Sequence, residues 1–287
     1  MKVISSLAAL VLFTTCTAPA FADETRFRVD IVGADFDLDE SRTALFHGSY
    51  LLPNEQVPLD SPGTSLAELT LAMSLGVVEL FATWQPELES EARSSTTVGA
   101  PSGLLLVDSL QRVHVEAWDL GVSRTFSWGR HFGLAPRLGL THLRHGHLVN
   151  RDQSYPPPTP SWFIETERVT ASQWGLLVGA EAVYELSDRV DVVVDGCLRW
   201  ATGSERVSID RTSPIFDADG VQVGVEVDPA GRGSLDLTTL MTEGSAGLRV
   251  KLRAGLSAEA SYLIRDWSRD RGPGTYSGIA VGIRGEW

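Results

Sequence analysis

Apolar residues alternate with polar or small residues over most of this chain, and the repeat is two residues. Between Trp174 and Tyr184 every second residue is apolar, and both ends of this apolar face are aromatic. A turn at Ser187-Asp188 follows, and the even-numbered positions from Val190 to Trp200 then share a second apolar face. Side chains of a strand point alternately to its two faces, whereas a helix would mix these two sets. The pattern predicts an all-β protein.

The length of these strands separates a membrane barrel from a soluble β-protein. Ten residues separate Trp174 from Tyr184, which is about 33 Å along a strand. A tilt of about 40° reduces this to about 25 Å, the height of the apolar band of an outer-membrane barrel between its aromatic girdles. Soluble strands are shorter, although a lipocalin or a β-sandwich also alternates and stays an alternative. The predicted girdle residues are Trp174, Tyr184, Trp200 and Tyr262.

The number of strands follows from the segments that alternate. The clear strands are 112–126, 130–143, 171–186, 189–202, 238–252, 256–266 and 276–287. Leu66–Trp84 forms either a hairpin folded near Ser74-Leu75-Gly76, with Arg26–Phe36 as the first strand, or one long strand, with Arg26–Phe36 outside the wall. Because such barrels have an even number of strands, the count is eight or ten, and we favour ten. Pro136 lacks an N–H group, so we expect a bulge there.

The connections alternate in length. Short turns are expected at Ser127–Arg130, Leu186–Arg189 and Arg253–Gly255. Long polar stretches, which we expect to be extracellular loops, lie at 85–111, Gly146–Thr170, Ala201–Ser234 and Trp267–Thr275. Short periplasmic turns and long extracellular loops are typical of bacterial outer-membrane barrels. The predicted fold is thus an antiparallel transmembrane β-barrel of eight to ten strands.

Residues 1–22 resemble a secretory signal peptide. Lys2 precedes an apolar run from Val3 to Leu12, and Ala20-Phe21-Ala22 forms a small-residue cleavage site. The run is too short to span a bilayer as a helix, so we expect export and cleavage before Asp23. Lipidation of Cys16 is the poorer alternative. Residues 23–287 would then form one barrel domain in the outer membrane of a Gram-negative bacterium.

Charge and cysteine content exclude other classes. The chain has 24 Lys and Arg against 37 Asp and Glu, a net charge of −13, which argues against a nucleic-acid partner. After cleavage Cys197 would be the only cysteine, which leaves neither a disulfide framework nor a cysteine-based zinc site. We expect Cys197 to be a small buried side chain.

Several charged residues fall on the inward face of the predicted strands. A charge inside a barrel needs a partner or water, so these side chains either form an ion-pair network that plugs the lumen or line a narrow water path. The candidate lumen-lining residues are Arg137, Glu181, Asp191, Asp195, Arg199, Arg249, Lys251, Glu259 and Arg265.

Candidate catalytic and metal-binding groups are few. His142, His145 and His147 cluster at the outer end of a strand, where His145 and His147 share a face and His142 points the other way. One metal would require a bend and further ligands, so we favour a solvated loop base over a metal site. No acidic pair lies beside a histidine as in omptin-like proteases. We therefore expect no enzyme activity, no metal and no cofactor.

The final segment resembles the C-terminal signal by which outer-membrane proteins are recognised for insertion. Apolar residues alternate from Ile279 through Val281 and Ile283, and the segment ends in the aromatic Trp287. Gly285 departs from the bulky residue usual third from the end. The alternative is an edge strand that happens to end in tryptophan. The resemblance implies the barrel-insertion machinery as a partner.

One hairpin suggests a family. Val113–Gly146, VHVEAWDLGVSRTFSWGRHFGLAPRLGLTHLRHG, contains Asp119-Leu120 in one strand and Arg137-Leu138-Gly139 in the next. This segment, continued by WGLLVGAEAVYELSDRVDVVVDGCLRWATG, resembles the Legionella major outer membrane protein-like family of pore-forming barrels. The resemblance covers roughly residues 110–287 and matches poorly before that. The resemblance implies a β-barrel fold and, as one of the functions open to it, a pore. It supplies no catalytic residues for this chain.

These observations predict a small porin-like or structural outer-membrane barrel that allows limited passage of small solutes. The main alternative is a surface-exposed interaction or adhesion barrel whose long loops bind an external partner. A barrel enzyme acting at the outer rim is a third reading. The expected partners are outer-membrane lipid, the insertion machinery and small solutes.

Overall fold

The computed structural model of the chain describes residues 25–38, 63–100, 103–154, 162–216, 221–269 and 272–287. The signal-peptide prediction and Cys16 lie outside these residues. In the part of the chain that is described, no helix is long and apolar enough to cross a membrane. The strands are β1 Thr25–Leu38, β2 Gly63–Leu75, β3 Val78–Ala100, β4 Gly103–Ser123, β5 Phe126–Trp128, β6 Phe132–Ser154, β7 Trp162–Ser187, β8 Val190–Phe216, β9 Gln222–Arg253, β10 Leu256–Arg269 and β11 Gly272–Glu286.

The strands form a closed antiparallel barrel. Each wall strand pairs with its neighbours in the sequence, and β1 pairs with β11 to close the cylinder. The short β5 lies beside the start of β6, while β4 pairs directly with β6. The wall therefore consists of ten strands, which are all of the strands except β5. The predicted all-β barrel is confirmed, with the larger of the two expected strand counts.

The hairpin expected within Leu66–Trp84 is present. β2 and β3 are joined by a turn at Gly76-Val77, and Leu75 pairs with Val78 across it. Gly76 has a φ of 63°, a left-handed conformation that glycine adopts without a steric cost. Short turns also lie at residues 188–189 and 254–255, as predicted.

The predicted long loops are wrong, because most of their residues continue the strands. Gly146–Thr170 contains the end of β6 and the start of β7, and Ala201–Ser234 contains the ends of β8 and β9. Residues 85–111 likewise belong mainly to β3 and β4. The ladder continues since its backbone hydrogen bonds do not depend on apolar side chains. The wall is consequently uneven, with 32 residues in β9 and 14 in β10.

The bulge expected at Pro136 is also wrong. Pro136 lies opposite Ala180 in a ladder between β6 and β7 that has no register shift. On its other side Pro136 faces the break between β4 and β5, where the N–H of Arg124 donates to its carbonyl oxygen at 3.3 Å. The missing N–H therefore falls beyond the end of β4, where the ladder does not need it.

The two faces of the wall differ in the way the alternation predicts. On β7 the outward Trp174, Leu176 and Val178 are each about half exposed, whereas the intervening Leu177 is buried. The four predicted girdle residues all point outward and are about half exposed, namely Trp174, Tyr184, Trp200 and Tyr262. The apolar surface thus faces out of the barrel and the charged residues face in.

Candidate functional site

Ion pairs fill the part of the interior nearest the short turns. Glu181 on β7 accepts from Arg249 at 3.4 Å and from Arg284 at 2.9 Å, so one carboxylate joins β7 to β9 and β11. Arg284 also contacts Asp30 on β1 at 2.8 Å, and Arg249 contacts Glu259 at 2.9 Å. Since these strands are not all neighbours, the pairs cross the lumen.

A second set of pairs lies one level farther from the short turns. Arg199 on β8 makes a fork-shaped contact with Asp119 on β4, and both side chains are only 2% exposed. Glu243 accepts from Arg265 at 2.6 Å and from the amide of Gln85 at 2.9 Å, and lies 3.7 Å from Arg199. Buried charges with this many partners are held in fixed positions.

The structure places all nine candidate lumen residues on the inner face, each in an ion pair. Besides the pairs above, Arg137 contacts Asp195, and Lys251 contacts Glu185 at 3.0 Å and Asp191 at 3.2 Å. The sequence analysis missed several of their partners and further members of the same network, which occupy inward positions of the same alternation. These are Arg28, Asp30, Glu68, Gln85, Asp119, Glu185, Glu243 and Arg284.

An apolar layer covers the ionic layers on the side of the long strand ends. On β9 Met241 follows Glu243, and on β10 Trp267 follows Arg265, in each case one inward position farther from the short turns. The layer belongs to one buried cluster: Ala34, Phe36, Ala67, Leu88, Val113, Ala117, Leu143, Ala201, Met241, Leu263, Trp267, Tyr276 and Ala280. Its aromatic rings pack together, with 4.7 Å between the centroids of Trp267 and Tyr276.

Two cavities remain on the short-turn side of this layer. One of about 90 Å³ lies among the ion pairs, and one of about 230 Å³ opens near Arg26 and Glu286. Arg28, Arg137, Glu181 and Arg284 line both cavities. The first has room for a few water molecules, and the shared side chains stand between it and the mouth.

The histidines separate as their spacing predicts, but two of them are not solvated. His145 and His147 point inward and are 4% and 2% exposed, whereas His142 points outward. The prediction of a solvated loop base is therefore wrong for His145 and His147, because β6 continues through them inside the extended barrel. His142 shares a hydrogen bond of 2.9 Å with Ser172 and packs against Trp174. The described residues contain no group of three or more His, Cys, Asp or Glu placed to hold a metal.

An aromatic row crosses the outer face where the apolar band ends. Trp84, Trp118, His142 and Trp174 are successive partners across β3, β4, β6 and β7. The rings of Trp84 and Trp118 stack with 5.5 Å between centroids, and both indole N–H groups donate to Glu116. We call these four residues the aromatic row. Aromatic side chains with a polar edge are typical of the boundary between hydrocarbon and water.

The residues of the predicted insertion signal lie on the outer face of β11. Ile279, Val281 and Ile283 point outward, and Trp287 pairs with Phe27 of β1 through two backbone hydrogen bonds of 2.8 and 2.9 Å. A Cβ atom at Gly285 would lie 2.5 Å from the indole of Trp287. Gly285 therefore leaves room for the ring in its present position.

Cys197 lies on the inner face of β8 and is partly buried. It packs against the cluster formed by Ala72, Phe81 and Leu177. The apolar neighbours agree with the expectation of a small buried side chain, but the burial is only partial.

Several outer-membrane barrels of known structure are similar to the chain. The outer membrane protease OmpT from Escherichia coli is 10% identical, with a TM-score of 0.34, and the match covers 95% of this chain and all of that one. A major outer membrane protein from Thermus thermophilus is 12% identical over 92% of this chain and 99% of its own, with a TM-score of 0.34. The Pseudomonas putida toluene transporter TodX is 11% identical over 93% and 90%, again with a TM-score of 0.34.

By sequence, the chain matches no protein-family model and no curated protein. The resemblance to the Legionella major outer membrane protein-like family therefore stays a prediction.

Proposed function

We propose that this protein is an outer-membrane barrel of the structural type, whose filled lumen anchors an extended β-structure on the outer side. The apolar outward face and the aromatic row support residence in a membrane. A closed barrel leaves no unpaired strand edge within its wall, which is what a lipid environment requires.

The single observation that carries the structural role is the filling of the lumen. Two ionic levels and one apolar layer occupy the interior, and Arg199 and Asp119 are almost inaccessible to solvent. A ten-stranded barrel is narrow enough for side chains to fill it. A hydrated solute would have to break buried charge pairs and then cross an apolar layer.

Limited passage of small solutes is the second candidate. It is supported by the charged walls of the two cavities on the short-turn side. Passage would require movement of the apolar cluster as well as the ion pairs, so we rank it below the structural role. The long strand ends, which extend beyond the aromatic row, favour display of a surface over conduction.

Planar-bilayer recording of the purified protein separates the two candidates. The structural role predicts no single-channel steps, and reproducible steps would establish permeation instead. Heat-modifiable migration of the outer-membrane fraction tests the barrel itself. A chain found wholly in the soluble periplasm would overturn the membrane assignment.

A further inference from the structure

Three arginines form a patch on the outer face of the extended strands. Arg168 on β7, Arg206 on β8 and Arg232 on β9 are all exposed. Arg168 lies opposite Ser208 and Arg206 opposite Thr170, so the two are diagonal neighbours. Arg232 also lies opposite Ser208, which places it diagonally from Arg206 on the other side. We call these three residues the arginine patch.

The arginine patch brings like charges close together. Diagonal neighbours on one face of a sheet have Cβ atoms roughly 7–8 Å apart, within the reach of long side chains. Asp210 and Asp236 are diagonal neighbours of Arg168 and Arg206 on the same face, but among the described residues no carboxylate forms an ion pair with any of the three arginines. Like charges at this spacing repel each other unless an anion lies between them.

The other arginines of the extended strands whose side chains are described, Arg93, Arg112, Arg144 and Arg211, are in ion pairs, whereas the exposed Arg130, Arg189 and Arg253 at the short turns are not. The chain carries a net charge of −13, so carboxylates are abundant. Elsewhere on the extension, between β3 and β4, Arg112 donates to Glu91 at 2.8 Å, and this bond, with that from Arg93, lowers the pKa of Glu91. The six interior arginines are all in ion pairs, namely Arg28, Arg137, Arg199, Arg249, Arg265 and Arg284.

The height of the arginine patch matches the polar part of a membrane surface. Arg168 is six residues beyond Trp174 on β7, and Arg206 is six residues beyond Trp200 on β8. Six residues span about 20 Å of strand, or about 15 Å along the barrel axis at a tilt near 40°. Arg144 lies between the two levels, two residues beyond His142, and is paired with Glu116 at 3.3 Å. The patch thus lies above the hydrocarbon boundary and faces outward, toward neighbouring lipid headgroups.

We propose that Arg168, Arg206 and Arg232 bind phosphate groups of the lipopolysaccharide in the outer leaflet. The guanidinium group offers a planar fork of donors that matches phosphate oxygens, and several forks around one headgroup remove the repulsion between them. Trp174 on β7 and Trp200 on β8, which lie below the patch, would contact the upper acyl chains of the same lipid. This site rests on the membrane residence proposed above, but it does not depend on whether the lumen is closed.

The test is binding of fluorescent lipopolysaccharide to the protein in phosphatidylcholine nanodiscs. The variant R168Q/R206Q/R232Q is expected to bind about tenfold to a hundredfold more weakly, since each arginine supplies a charge-assisted contact. The matched control R130Q/R189Q/R253Q removes the same charge from exposed turn residues at the opposite end of the barrel. The control should bind as the unchanged protein does. Equal binding by both variants and the unchanged protein would overturn the proposal.

Two further binding measurements identify the chemical group that is bound. Enzymatically dephosphorylated lipopolysaccharide should lose affinity for the unchanged protein by a factor similar to that caused by the triple variant. Millimolar inorganic phosphate should not displace the intact lipid, because it lacks the acyl chains. Displacement by free phosphate, or no effect of dephosphorylation, would reject a lipid phosphate site. Heat-modifiable migration of every variant shows that each is folded, and failure of that assay for the unchanged protein would instead reject the barrel.

Discussion

Arg199 and Asp119 meet in the middle of the lumen through a fork-shaped contact between β8 and β4, with Nη2 and Oδ2 2.7 Å apart. Their strands are separated by two others in the wall, so the pair connects two parts of the wall across the lumen. Neither side chain can reach water, and each is the main counter-charge of the other. The pair is therefore costly to break from one side only.

Replacing Asp119 by alanine should destabilise the barrel by about 3 kcal/mol, because the buried guanidinium of Arg199 loses its main partner. Glu243, 3.7 Å away, compensates in part. Urea unfolding in detergent micelles measures the change. Asp108→Asn, at an exposed outward position of the same strand, is the control and should be neutral. A loss below about 0.5 kcal/mol for Asp119→Ala would show that water enters this level.

Val178→Arg should impair folding into a bilayer by about 2–4 kcal/mol, since the residue points outward near the middle of the apolar band. Thr202→Arg is the matched control, because it lies on the same face but opposite Trp174, at the level of the aromatic row. Its cost should be about 0–1 kcal/mol. Folding into lipid vesicles as a function of urea gives both values. Equal losses of folding free energy for the two variants would mean that the apolar band around Val178 does not lie in the hydrocarbon core.

Alternation alone predicts that Val192→Arg on the outer face is harmful and that the same change at Asp191 is mild. Asp191 is buried and lies 3.2 Å from Lys251. An arginine at position 191 would face that lysine, so Thr202 is the better comparison.

Gly175→Ala should prevent normal pairing of β7 with β8. A Cβ atom at Gly175 would lie 1.9 Å from the carbonyl oxygen of Trp200 and 2.5 Å from the Cα atom of Ala201, both rigid backbone atoms. Gly244→Ala is the control, because the nearest atom to its Cβ would be 3.9 Å away. The heat-modifiable band should weaken or vanish only for Gly175→Ala. A normal heat-modifiable band from both variants would show that β7 and β8 can separate at position 175 with little loss of stability.

Removing the Arg137–Asp195 pair should not make the barrel conduct ions. The double variant Arg137→Ser/Asp195→Ser enlarges the passage between the two cavities but leaves the apolar layer intact. Planar-bilayer recording should therefore still show no channel steps. Single-channel conductance steps in this variant, and not in the unchanged protein, would show that the ion pairs and not the apolar layer block the lumen.

The sequence was sufficient for the wall because each strand of the barrel has an apolar outer face and a packed inner face. These two faces impose a repeat of two, and this repeat located the inward charges such as Glu181 and Arg265. The ten-strand count followed once the turn at Gly76 was recognised. The pairing of Arg199 with Asp119 could not be read in this way, since it depends on the stagger of strands that are distant in the sequence.

The extension beyond the aromatic row was missed for a related reason. Outside the hydrocarbon both faces of a strand accept polar side chains, so segments such as Gly146–Thr170 lose the contrast that marks a strand. His145 and His147 accordingly looked like loop residues. The alternation of inward His145 and His147 with outward Arg144 was the remaining signal that β6 continues.

The unequal strand lengths have a consequence for how two copies could meet. β10 ends at Arg269, opposite Thr239, whereas β9 continues to Gln222. Among the described residues, this final stretch of β9 is paired on one side only, with β8. A free sheet edge is a template for aggregation, and proteins protect such edges with charged side chains. Exposed Glu226, Asp228 and Asp236 lie along it, but so do the exposed Arg232 and the exposed valines Val223, Val225 and Val227, so charge protects this edge from pairing with another strand only in part.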